Sequence, residues 1–106
     1  MKGAHSPEYQ VYEALADAGG YLEERALIRR VKPQVQIGYL RFFQTRRDRV
    51  EKAIQELIGL GCIAGQPNGR LKIVGPLKLF DSHGRLFGEL SLHPGGRGLS
   101  LALNRR

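Results

Sequence analysis

At Gly75-Pro76 the hydrophobic rhythm of this chain changes from the period of a helix to the period of a strand. Before that break, up to about Gly59, apolar residues recur at three- and four-residue steps. After it, they alternate with their neighbours. The two periods belong to different backbones and cannot be exchanged, because helical side chains repeat every 3.6 residues and strand side chains every 2. The chain therefore divides into a helical part over residues 1–76 and a β-extension over residues 77–106. In the extension Leu77 and Leu79 alternate with Lys78. Leu86, Gly88, Leu90 and Leu92 alternate with Phe87, Glu89 and Ser91, and Leu99, Leu101 and Leu103 with Ser100 and Ala102. Turn residues at 81–84 and 93–98 separate these runs, which predicts a three-stranded antiparallel meander. Its leucine-rich face has to be covered, either by the helical part or by a second copy of the chain.

The helical part opens with Ser6-Pro7-Glu8: a hydroxyl cap, a proline at the first helical position and an acid in the first turn. Val11, Tyr12, Leu15 and Ala16 follow at helical spacing until Gly19-Gly20 ends the element. Tyr21-Leu22 suits a short extended segment. A second helix is predicted from Glu23 to Val31, with Ala26, Leu27 and Val31 inward and Arg25, Arg29 and Arg30 outward. Pro33 closes it.

Residues 34–44 leave two starts open for the third helix, near Gly38 or at Thr45. Thr45 is favoured, because a hydroxyl there and Asp48 three residues on can cap each other. The helix then runs to about Gly59, with Val50, Ala53, Ile54, Leu57 and Ile58 on one apolar stripe. Residues 62–66 and 70–74 are strand candidates joined at Asn68-Gly69, a dipeptide suited to a tight turn with positive φ. The expected class is α+β.

Charge falls unevenly on these parts. The net charge is +7; residues 1–31 carry four basic and five acidic groups, residues 32–76 eight and three, and residues 77–106 five and two. Positive charge thus concentrates on the third helix and the hairpin, where a polyanion would dock.

The order helix, helix, basic helix, hairpin over residues 6–74 resembles the winged helix-turn-helix superfamily, most closely in ELIGLGCIAG and NGRLKIV. The resemblance implies a three-helix domain with a β-hairpin wing and, in many members, binding of double-stranded DNA. In the docking mode of that superfamily the first turns of the third helix enter the major groove. That mode assigns Thr45, Arg46, Arg49 and Lys52 to the groove, with Arg49 facing a guanine. Arg47 suits a phosphate or a packing role. Arg70 and Lys72 suit phosphates or the minor groove, and Arg29 and Arg30 the flanking backbone. A solvated, salt-bridged surface would produce the same residue types. The alternative is an adaptor that binds RNA or a protein partner, while the meander over residues 77–103 offers a homodimer surface.

Other chemistry finds little support. No phosphate-binding loop, triad order or paired metal-ligand spacing occurs, so no enzyme and no cofactor is expected. His5, His83, His93 and Cys62 lack zinc spacing. Gly95-Gly96-Arg97-Gly98 could cradle a phosphate through its amides but reads better as a hairpin tip. Tyr39, Phe42 and Phe43 read as a small core or, less well, as base-stacking residues. A single cysteine, no apolar run near the roughly 20 residues of a membrane span and no secretory leader point to the cytoplasm.

Overall fold

The computed structural model describes residues 6–35 and 45–104. The alternative helix start near Gly38, the aromatic residues Tyr39, Phe42 and Phe43, and His5 lie outside them. The first helix, α1 (Pro7–Asp17), starts where Ser6 Oγ accepts the Tyr9 amide at 3.2 Å. It ends in a Schellman closure, with Gly20 N–H donating to Leu15 at 2.8 Å and Gly19 N–H to Ala16 at 2.9 Å. Both glycines take positive φ, +91° and +84°, which a side chain resists. A Cβ at Gly20 would also stand 2.8 Å from the Leu92 side chain, whose terminal methyl would have to shift.

A short strand, β1 (Tyr21–Glu23), leads into α2 (Glu24–Val31), which Pro33 closes through a 3₁₀ turn over Lys32–Gln34. The inward residues of α2 are Leu27, Ile28 and Val31. Ala26, expected inward, is half-buried, and Ile28 takes its place because the buried stripe lies one residue further round the helix. Helix α3 (Arg46–Gly59) starts at the Thr45 cap and buries Val50, Ala53, Ile54 and Leu57.

Strands β2 (Ile63–Gly65) and β3 (Arg70–Ile73) form the hairpin, and β1 pairs with the free side of β3 to give the sheet order β1-β3-β2. The hairpin turn is wider than the Asn-Gly dipeptide predicts. Gly69 N–H closes on the Gln66 carbonyl at 3.1 Å, and Gly69 alone of the turn residues has positive φ. Pro67 explains the difference: its fixed φ suits the second position of a type I turn, which then needs one left-handed residue to finish.

The β-extension forms a second antiparallel sheet, β4 (Leu77–Phe80), β5 (Leu86–Leu92) and β6 (Leu99–Leu103), in that order. Its leucine face divides along its length. Leu77 and Leu90 join one core with Tyr12, Leu15, Leu27, Ile54, Leu57, Ile63 and Leu71. Leu101 and Leu103 are 54% and 61% exposed. Tyr12 pins the second sheet to the first part: its hydroxyl points at the Gly75 carbonyl at 2.8 Å, with that of Leu90 at 3.3 Å. Burial, with a smaller contribution from Cys62, pushes its pKa up to about 12. The fold is thus mixed α+β, with three α-helices and two three-stranded antiparallel sheets among the described residues.

Candidate nucleic-acid interface

The start of α3 is held by a reciprocal cap. Thr45 Oγ1 accepts the Asp48 amide, and the Thr45 amide donates to Asp48 Oδ2, both at 3.0 Å. The Thr45 amide and then its hydroxyl hold the Asp48 carboxyl below its ordinary pKa. The Thr45 hydroxyl, expected at the groove, is therefore engaged in capping. Arg46 Nε donates to the Val35 carbonyl at 3.1 Å and ties the start of α3 to the end of the 3₁₀ turn.

The next two arginines diverge. Residues two apart on a helix stand about 160° from each other around its axis. Arg47 takes the flank facing α2, where its exposed side chain donates to Glu51 at 2.9 Å. Arg49 takes the other flank, is half-buried and is engaged within the protein. Lys52 is exposed.

Arg25 and Arg29 of α2 and Lys32 just beyond it follow i, i+4, i+7 spacing and so share one face. With Arg47, Glu23 and Ile28 they line a cleft of about 430 Å³. Arg30 is exposed but lies outside the lining. Sequence reasoning missed Arg25 and Lys32 as site residues. Their spacing along α2 was readable, but their meeting with Arg47, across two helices, was not.

On the hairpin, Arg70 and Lys72 are exposed and Leu71 between them is buried, as strand alternation requires. The Arg70 guanidinium stands 5.2 Å from the centre of the Tyr21 ring, and Asn68 Nδ2 donates to the Tyr21 hydroxyl at 3.0 Å. That Asn68 bond first, then Arg70 and Lys72, lowers the Tyr21 pKa. Tyr21 is thus a member of the cationic surface that its place in a short strand did not reveal. Glu23 joins the two groups: it pairs with Arg70 in the β1–β3 register and also lines the cleft. The Glu24 amide bonds the Gly69 carbonyl at 3.1 Å, which anchors the hairpin tip to the start of α2.

The other sequence candidates are occupied structurally. Cys62 is buried with its thiol on the Pro76 carbonyl at 3.2 Å, and burial raises its pKa, so it stays a thiol. In the 93–98 turn, the Gly95 amide bonds His93 Nδ1, the Gly96 amide the His93 carbonyl and the Gly98 amide the Ala16 carbonyl, at 2.9, 2.8 and 2.9 Å. Those three amides cannot cradle an anion. Among the described residues no cluster of three or more His, Cys, Asp or Glu side chains could hold a metal ion, and no helix is long and apolar enough to cross a membrane. Set against known proteins, the chain matches no protein family, no curated protein and no solved structure.

Proposed function

We propose that this chain binds double-stranded DNA with sequence selectivity, as a winged helix-turn-helix protein whose wing is β2–β3. One observation carries the proposal: cations from α2, from the first turn of α3 and from the hairpin form adjoining groups that meet at Glu23. The element order is the one the resemblance to a winged domain implies, and β1 adds a third strand to its hairpin. In this mode Arg29, Arg30, Arg47, Arg70 and Lys72 grip phosphates, and the exposed side of α3, with Lys52, faces the major groove, while Arg46 reaches a groove edge only by releasing the Val35 carbonyl. Arg49 reads a guanine only by exchanging its contact within the protein for one with a base. A regulatory or accessory role on plasmid, phage or chromosomal DNA fits such binding.

The test is fluorescence anisotropy with random and selected duplexes at low salt, alongside single-stranded DNA and RNA of equal length. The proposal predicts duplex binding that weakens steeply with salt, since each phosphate contact adds about −0.9 to the logarithmic slope. No duplex binding at low salt removes it, and preference for RNA transfers the site to the adaptor class.

A homodimer is part of the proposal. Backbone bonds from Asn104 to Phe87 and from His93 to Gly98 bracket the β5–β6 pairing. They set Ser100 and Ala102 in bonded pairs and leave the N–H and C=O groups of Leu99, Leu101 and Leu103 pointing out of the sheet. An uncharged edge of this kind suits pairing with a second β6. Light scattering at micromolar concentration checks it; a strictly monomeric mass rules out a stable dimer. A second reading, a protein-binding adaptor, draws on an apolar groove of about 450 Å³ between α1, the end of α3 and β4, bordered by Tyr9, Leu60, Leu79 and Phe80. A partner that survives nuclease treatment in a pull-down would favour it.

A further inference from the structure

We propose that the cleft between α2 and the first turn of α3 is a receptor for a phosphate group or a linked pair of them. Three of its cations, Arg25, Arg29 and Lys32, come from one helical face, an arrangement that a solvated surface also produces. The fourth, Arg47, comes from a separate helix and borders the same cavity. Like charges from two elements repel unless something anionic enters between them. The carboxylates nearby do not supply that balance. Glu23 in the wall and Glu51 on Arg47 are two against four, which leaves a surplus of two positive charges. Among the described residues, none of Arg25, Arg29 and Lys32 is held in an ion pair.

The shape suits the charge. The cleft measures about 430 Å³ and has Ile28, 4% exposed, among its lining residues. That volume takes a phosphate and a small substituent. Three guanidinium forks and one ammonium supply the planar and point-charge donors that phosphate oxygens accept. The inference stands on the cleft and not on duplex binding. A phosphate group can reach it as a link in a nucleic-acid backbone or on a free phosphorylated molecule.

The experiment is calorimetric titration of the full chain with inorganic pyrophosphate at fixed ionic strength and without DNA. Saturable one-to-one binding is expected. The double variant Arg29→Gln/Arg47→Gln should weaken it by at least about tenfold. Arg85→Gln/Arg97→Gln, which removes the same charge from exposed turns of the second sheet, should leave it unchanged. Far-UV circular dichroism verifies that both fold; Lys32→Gln with the same readout serves if the first does not. No saturation, or equal weakening by both doubles, overturns the proposal. Duplex affinity of the cleft double then separates the sources. A parallel loss identifies a backbone phosphate, and unchanged duplex binding identifies a free phosphorylated molecule. If the native chain binds pyrophosphate here but no duplex, the cleft stands and the DNA proposal falls.

Discussion

The two sheets of this protein have the same strand number and the same antiparallel pairing, yet they present opposite surfaces. In the first, the outward residues Tyr21, Glu23, Arg70 and Lys72 are polar or charged, and the central strand is the basic arm of the hairpin. In the second, β6 carries no charge and leaves Leu101 and Leu103 in solvent. Pairing pattern alone therefore says little about use. What differs is where each sheet spends its apolar face. The first uses Leu22, Ile63 and Leu71 against the helices and is free to arm its other face. The second buries Leu77 and Leu90 in the shared core and has leucines left over at its far edge.

This contrast breaks most readily at the leucines. Leu90→Ala should cost about 2–5 kcal/mol in denaturant unfolding, whereas Leu101→Ala in dilute, monomeric protein should stay within about 0.5 kcal/mol. Similar costs would mean that β6 is as much a part of the core as β5. Tyr12→Phe comes next, at about 1–3 kcal/mol, since the Gly75 carbonyl loses its donor at the joint between the sheets. The raised pKa gives this an alkaline signature. Stability due to the neutral Tyr12 hydroxyl is full below its ordinary pKa of 10.0 and is lost as pH climbs towards about 12. The difference in unfolding free energy between native protein and variant should shrink over that window.

A smaller effect is expected at the start of α3. Thr45→Ala should cost about 1 kcal/mol, because Asp48 N–H loses its acceptor. Asp48 has a lowered pKa, so its part of the cap is present above the ordinary carboxylate range and disappears as pH falls through the lowered value. Smallest in stability is Arg70→Gln, whose effect falls on binding. It should leave the unfolding midpoint unchanged within error and reduce the salt slope for duplex binding by about one. An unchanged slope would detach the hairpin from the proposed anion-binding face.

Much of this architecture was legible because its signals are local. The Ser6 and Thr45 caps, the Gly19-Gly20 stop and the alternation from Leu77 to Leu103 each act within a few residues, and the backbone follows them. The turn at Gln66–Gly69 was misjudged by one residue because Pro67, next to the favoured Asn-Gly pair, decides its geometry. The candidate site was legible in composition but not in arrangement. Arg47 and Arg49 read alike in sequence, yet helical rotation sends one to the α2 cleft and the other to a contact within the protein. Arg25 and Lys32 acquire interest only through a neighbour from a different helix. Tyr21 does so only because β1 pairs with β3, a contact about fifty residues away along the chain.

The central claim is that the first sheet, with α2 and the start of α3, meets the polyanion while the second sheet does not. Mapping amide and side-chain NMR shifts during titration with a short duplex tests it most directly. The account predicts perturbation at Tyr21, Arg25, Arg29, Lys32, Arg47, Lys52, Arg70 and Lys72, and silence at residues 86–103. Perturbation concentrated on β5 and β6, with the α2–α3 cleft and the hairpin unmoved, would contradict it.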